Sequence, residues 1–323
     1  MALTLTLIYN ILIMPLCASI DIGSNTLRLL IGDIKDNRIQ EVCYKRYITR
    51  LGTGLNRTGK LLDTNIKASL SALRDFSSLI SSYRVQQVKA VATSALREAS
   101  NSDIFIQKVF AETGISIEII SGVKEAELTL KGIHLSLPRS SLQANQSLFI
   151  IDIGGGSTEW IFYKKSHNFD MGSIPVGVIK LYDKYIKSDP ISTSDISELN
   201  DGIAHHLHTL SIRISHSIDK HTRLIGTAGT FTTIASIDLE LDRYSREKIH
   251  FHKLSFETLY EISQKLLNLP LEERKKVKGL EPDRADLIIP GIQFTIKLMK
   301  KFHFEEINVS EYGLLEGILS DII

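Results

Sequence analysis

The chain has 323 residues, 43% of them hydrophobic, which suits about two globular domains with sizeable cores. Its 38 Lys+Arg against 37 Asp+Glu leave a formal net charge of +1, excluding a global electrostatic pull toward nucleic acid or a membrane surface, so a polyanion must be held by local basic groups. Two cysteines, Cys17 and Cys43, exclude a disulfide framework and suit a reducing compartment, and no stretch has the length and purity of a transmembrane helix.

Met1 to Leu16 is apolar but lacks the basic n-region of a signal peptide, and cleavage near Ala18 would cut into the strand that carries Asp21. Cys17 also lacks the small residue expected just before a lipidated cysteine. A short extension ahead of the first strand, on a cytoplasmic protein, is expected.

Strands are predicted over 17–22, 27–35 and 38–48. The first runs into SIDIGSNT (Ser19 to Thr26), an apolar strand that reaches an aspartate, a glycine turn and a hydroxyl residue. Asp63 to Tyr83 reads as a helix, with Ile66, Leu70, Leu73, Phe76 and Ile80 three or four apart. Val88 to Ala92 is a short buried strand, followed by a helix through Asp103 to Glu112, a strand at Ile115 to Ile119 and a helix at Lys124 to Leu135. A second round opens on FIIDIGGGSTEW (Phe149 to Trp160), with strands over 147–153, 158–163 and about 168–173. Thr222 to Ile225 is a further strand and Ile307 to Val309 a last one. Helices are predicted at Val176 to Ile186, Ser194 to His216, Phe256 to Leu267, Ala285 to Lys301 and Tyr312 to Ile322. The alternation gives an α/β class. The halves should meet across a cleft, with a hinge near Lys131 to Gln146.

The repeated phrase is suited to phosphate. Glycine brings backbone N–H groups close to an anion, and Ser24, Asn25, Ser157 and Thr158 add polar donors. Asp21 and Asp152 cannot bind phosphate directly, and their work beside it is to hold a cation, directly or through water; the alternative is an aspartate capping its own turn. Gly154, Gly155 and Gly156 follow a buried strand, where packing alone does not favour glycine. Glu159 should point toward the same cleft as Asp152, as a second ligand or an orienter of metal-bound water. Gly226 and Gly229, in GTAGT, open a helix whose N–H groups suit an anion, though an ordinary strand-to-helix turn reads the same way. Glu125, in a first helical turn, is either a dipole residue or a catalytic base. Arg97 either forks onto phosphate or is a surface arginine.

Other patterns carry less. Gly54 to Lys60 fits G-x-x-x-x-G-K, but Leu61 stands where a phosphate-binding loop needs Ser or Thr. His205, His206 and His208 face different directions on a helix. Lys275, Lys276 and Lys278 read as solvent-facing.

SIDIGSNTLRLLI, ATSALRE, SGVKEAEL, FIIDIGGGSTEW, GTAGTFTTIA and PDRADLIIPGI occur in the order seen in the exopolyphosphatase/guanosine pentaphosphate phosphatase (Ppx/GppA) family, which the chain resembles from Cys17 onward. The resemblance implies two ribonuclease-H-like domains of the actin/sugar kinase/Hsp70 superfamily, over 17–130 and 131–310, with a cleft between them and the C-terminal helix (311–323) packed back on the first. By motif it implies Glu125 as catalytic base and Asp152 and Glu159 near magnesium or another divalent cation. It also implies Gly154 to Ser157 around the terminal phosphate, Asp21, Ser24 and Asn25 in the first phosphate turn, and Arg97 facing phosphate. Thr53, Leu315 and Glu127 depart from residues common in the family.

The implied activity is release of terminal phosphate from inorganic polyphosphate, guanosine pentaphosphate or both, with no nucleic-acid or membrane partner and a homodimer left open. Two rivals are an ATP-dependent kinase or chaperone-like ATPase of the same fold and a non-catalytic sensor of alarmone or polyphosphate.

Overall fold

Two sheets organise the chain, and each is built around a strand buried along its whole length. The computed structural model describes residues 15–36, 38–137, 147–164 and 169–323. β1 (Cys17–Ile22) and β6 (Ser147–Ile153) are buried at every position, as a central strand covered on both faces requires.

In the first sheet β2 (Thr26–Lys35) pairs antiparallel with β1, and β3 (Arg38–Ile48) antiparallel with β2. α1 (Leu55–Thr58) and α2 (Asp63–Ser82) then lead to β4 (Gln87–Ala92), which lies parallel to β1. α3 (Ser94–Glu98), α4 (Ser102–Thr113) and β5 (Ile117–Ile119) complete this half. The order β3-β2-β1-β4-β5 is the ribonuclease-H-like arrangement. Ile66, Leu70, Leu73 and Phe76 of α2 join the same core as Ile20, Ile22 and Leu29, as their three- and four-residue spacing predicts.

α5 (Gly122–Ser136) carries the chain to the second sheet. There β6, β7 (Thr158–Lys164) and β8 (Phe169–Ile174) form an antiparallel meander. α6 (Val178–Tyr185) and α7 (Thr193–Ile214) lead to β9 (Thr222–Thr227), parallel to β6. The first-sheet plan of a meander with a parallel fourth strand therefore recurs. α8 (Ala228–Asp238), α9 (Arg246–Ile249), β10 (Lys253–Ser255), α10 (Phe256–Leu267), α11 (Leu271–Arg274) and α12 (Ile288–Phe302) follow. β11 (Glu306–Ser310) and α13 (Leu314–Ser320) end the chain, giving the order β10-β11-β9-β6-β7-β8.

Some expectations shift. The helix expected from Ala285 begins at Ile288, because Pro282–Arg284 form a 3-10 turn before it. Leu16, assigned to the extension, packs on the first core, and its carbonyl accepts the Gln86 amide at 2.9 Å. Residues 1–14 of that extension lie outside the described residues. So do 138–146 of the expected hinge, whose first part is the last turn and a half of α5. Among the described residues no helix is long and apolar enough to cross a membrane.

The two halves are tied by an exchange of helices. α5 leaves the first sheet but packs Ala126, Leu130 and Ile133 on Leu148, Ile150 and Ile161 of the second. α13 leaves the second sheet but packs Leu315 and Leu319 on Cys17 and Leu30 of the first. The two helices meet each other through glycines: a Cβ on Gly132 would collide with the Gly313 carbonyl, and one on Gly317 with the Leu128 carbonyl. Overpacking of this kind costs about 1–3 kcal/mol or more. Gly132→Ala and Gly317→Ala are each expected to lose at least that much in urea unfolding, whereas Gly59→Ala, with nothing nearby but a positive φ, should lose less.

Candidate active site

The two acid-and-glycine turns are built alike. In the first, the Gly23 amide donates to the Thr26 carbonyl at 3.0 Å; in the second, the Gly154 amide donates to the Ser157 carbonyl at 3.0 Å. Each hydrogen bond closes a hairpin that leaves an aspartate one residue before the strand end. The turns face each other in contact across a cleft. A Cβ on Gly155 would stand 3.3 Å from the Asn25 nitrogen, and one on Gly156 2.5 Å from Ser94 Oγ and 2.8 Å from Ser24 Oγ. Only glycine permits that approach.

Asp21, Ser24, Asn25, Glu125, Asp152 and the 154–157 loop all line this cleft. The hairpin registers place a different residue opposite each aspartate: Arg28 opposite Asp21, and Glu159 opposite Asp152. Arg28 Nε and Nη2 donate to Asp21 Oδ2 at 2.8 and 2.6 Å, while Asp21 Oδ1 is buried without a hydrogen-bond partner. The expectation of Asp21 as a cation ligand is corrected to this extent: Arg28 already neutralises it and leaves one oxygen. Burial pushes the Asp152 carboxyl up to about 6, with Arg28 opposing and Asp21 adding to the shift.

Glu125 is held in the first turn of α5, whose N-cap Ser121 accepts the Lys124 amide at 3.2 Å. Its carboxyl is buried, and its pKa is raised well above the usual range by that burial and by Glu159, against the pull of Arg97. Arg97 Nη1 donates to Glu125 Oε2 and to the Ile120 carbonyl, both at 2.8 Å, and Nη2 donates to Ser157 Oγ at 3.2 Å. Arg97 was expected to face phosphate; it is turned instead onto Glu125, behind the cleft lining. Glu159 departs similarly. It is 0% exposed and does not line the cleft; its Oε1 accepts Ser173 Oγ at 2.7 Å and its Oε2 has no partner. Burial, then Asp152, pushes it up to about 8.

Gly229 lines the cleft beneath Arg284, where a Cβ would strike the guanidinium. Gly226 does not; a Cβ there would meet the Phe231 ring at about 2.5 Å, so its glycine serves packing. Sequence reasoning missed Arg28, Arg46, Tyr244 and Arg284, which also line the cleft. Arg28 was recoverable by counting the hairpin register back from the Gly23 turn and Arg284 lies within the PDRADLIIPGI motif, whereas Arg46 and Tyr244 are brought in from distant segments and carry no local signal.

Among the described residues no three His, Cys, Asp or Glu side chains are grouped to cage a metal ion. Of the carboxylates that line the cleft, Glu125 is engaged by Arg97 and Glu311 by Tyr244, whereas Asp21 Oδ1 and the Asp152 carboxylate fit a magnesium ion, which is usually held by one or two carboxylates together with substrate phosphates.

The raised pKa values give two expectations. Glu159 has a folded pKa of about 8 against an ordinary 4.5, so between these values the folded chain binds a proton that the unfolded chain does not. Stability from this group is full below the lower value and declines as pH rises through the upper one. Glu159→Gln, uncharged throughout, should gain stability relative to the parent from pH 5 to 9 in urea melts without divalent cation; a pH-independent difference would mean that Glu159 is ionised in the fold. Arg97 lowers the pKa of Glu125, so Arg97→Gln should move the acid limb of any Glu125-dependent activity to higher pH, read from the pH profile of kcat/KM.

Residues 30–323 match the Ppx/GppA phosphatase family. A bifunctional 3-dehydroquinate synthase/phosphatase of Fusobacterium nucleatum is 33% identical over 94% of this chain, which spans 46% of that protein's length, about half. Exopolyphosphatase 2 of Mycobacterium tuberculosis is 28% identical over 93% of this chain and 96% of its own. The crystal structure of the Aquifex aeolicus Ppx/GppA family member superposes with a TM-score of 0.77 at 30% identity, covering 95% of this chain and 97% of that one.

Proposed function

The chain belongs to the Ppx/GppA phosphatase family, and on that footing we propose that it hydrolyses a terminal phosphoanhydride bond, in inorganic polyphosphate, in guanosine pentaphosphate or in both. The observation that carries this reading is the meeting of the two acid-and-glycine turns across one cleft, with Glu125 joined to the second turn through Arg97 and Ser157. The end phosphate sits between Ser24–Asn25 and the 154–157 loop, where main-chain N–H groups and hydroxyls offset the charge on the transferred group.

Glu125 accepts a proton from the attacking water. Arg97 keeps its carboxyl oriented and opposes, without cancelling, the upward push of burial and Glu159 on its pKa. Asp152 and the free oxygen of Asp21 would hold a magnesium ion, which would supply charge neutralisation when bound. Glu159 stands behind Asp152 and Glu125, fixed by Ser173, and raises the Glu125 pKa without touching substrate. No span crosses a membrane among the described residues, and two free cysteines suit a cytoplasmic enzyme.

The ATP-dependent rival meets an obstacle at Gly229, since the Arg284 guanidinium covers the turn that would face adenosine. The net charge of +1 favours short polyphosphate or pentaphosphate over chains hundreds of units long, which need an extended basic track.

Phosphate release from tripolyphosphate, long polyphosphate and guanosine pentaphosphate, with ATP alongside and magnesium present, tests the reading. Glu125→Gln should lower turnover by about 10²–10⁴-fold while leaving substrate binding in place. Wild-type rates in that variant would reduce Glu125 to a helix-start carboxylate and favour a sensor role for the cleft. ATP turnover exceeding that of the other substrates would overturn the proposal.

A further inference from the structure

Two arginines on the distal side of the cleft have no part in the reaction described above. Arg46 reaches in from β3 of the first sheet, and Arg284 from the 3-10 turn that precedes α12. One carboxylate holds both. Glu281 Oε1 accepts Arg46 Nη2, and Glu281 Oε2 accepts Arg284 Nε at 2.9 Å. Arg46 also lies over the Tyr244 ring, 4.9 Å from its centroid. Burial, and after it the charge of Arg46, keeps the Arg284 pKa below the usual arginine range, so the two guanidinium groups repel each other and Glu281 is what reconciles them.

The arginines and their shared carboxylate differ in exposure. The Arg46 and Arg284 side chains are 17% and 11% exposed, and Glu281 is 31% exposed. Glu281 can swing into water at small cost, while the arginines are fixed at the cleft wall. Closure of the cleft does not rest on Glu281 alone. Beside it Arg50 forks onto Asp286 at 2.6 and 2.9 Å and reaches the Asp283 carbonyl at 2.9 Å, tying the same two segments.

We propose that Glu281 is a specificity-determining carboxylate that occupies Arg46 and Arg284 in the free enzyme and yields them to the non-reacting phosphates of a bound phosphate chain. The inference rests on the phosphoanhydride reading of the cleft. A phosphate offers more negative charge than a carboxylate and matches the guanidinium fork equally well, so a chain of several phosphates displaces Glu281. A ligand with a single phosphate, held at the glycine loops, does not reach the pair and gains nothing from it. Glu281 thereby selects for ligands that carry phosphate beyond the reacting one.

Calorimetric binding of inorganic tripolyphosphate to the full chain, without divalent cation, tests this apart from turnover. Glu281→Gln removes one negative charge beside two fixed arginines and should tighten binding by about tenfold at low salt. Orthophosphate binding should change little. Arg46→Gln should weaken tripolyphosphate binding, and in that background Glu281→Gln should lose the part of its effect that runs through Arg46, leaving the part that runs through Arg284. Glu281→Asp, with the charge on a shorter arm, should fall between the parent and the glutamine variant. If Glu281→Gln binds tripolyphosphate no better than the parent, or tightens it equally with and without Arg46, Glu281 serves only to hold the cleft shut and the proposal falls. Failure of the parent to release phosphate, with the binding order intact, would instead count against the hydrolase reading.

Discussion

Too much negative charge is buried in one place for the cleft to be self-sufficient. Asp21, Glu125, Asp152 and Glu159 are all buried, and the cations in direct contact with them are Arg28 on Asp21 and Arg97 on Glu125. An isolated buried carboxylate costs so much that it takes up a proton, a cation or a partner. Burial and Asp152 push Glu159 up to about 8, toward its neutral form, and its hydrogen bond from Ser173 fixes which oxygen is occupied. Asp152 has only partial relief from Arg28. Burial of Asp152 and the unpartnered oxygen of Asp21 therefore leave carboxylate charge that the side chains offset only in part.

The duplication explains the layout, and a single divergence in it explains the asymmetry. Both halves close a hairpin after an aspartate in the same register, yet Arg28 stands opposite the first aspartate and Glu159 opposite the second. A cross-strand arginine pairs with its aspartate, while a cross-strand glutamate gives Asp152 no counter-charge. The first aspartate is thus ion-paired from within its own hairpin and the second is not. Two copies of one motif differ through one substitution at one register position.

Much of this was legible in the sequence because continuous apolar runs ending in glycine leave few alternatives. β1, β6 and their turns, the α2 stripe and the start of α5 all carry local signals of that kind. β10 carries none, since three residues with one buried leucine do not show an alternation. Among the site residues, Glu125 and Asp152 fall in the cleft as their motifs suggest. Arg97 and Glu159 do not, because a motif says which residues gather and not which way each side chain turns. Arg97 donates to Glu125, the Ile120 carbonyl and Ser157, acceptors from segments distant in sequence that its own motif does not announce. Arg46, Glu281 and Arg284 are joined over more than two hundred residues by the closing of one half on the other, which no local pattern encodes.

The same closing gives the helix exchange its purpose. α5 carries Glu125 at its first turn and Gly132 at its contact with α13, so the catalytic carboxyl and the glycine crossing are on one rigid element. Movement of one sheet relative to the other must pass through that crossing, where backbone meets backbone and side chains cannot cushion a change. The ion pairs of Arg46 with Glu281 and of Arg50 with Asp286 join the same two halves. On the proposed reading, a polyanion that competes for Arg46 would act on those pairs while its end phosphate meets Ser24, Asn25 and the glycine loop, and phosphate at both places would favour one arrangement of the halves.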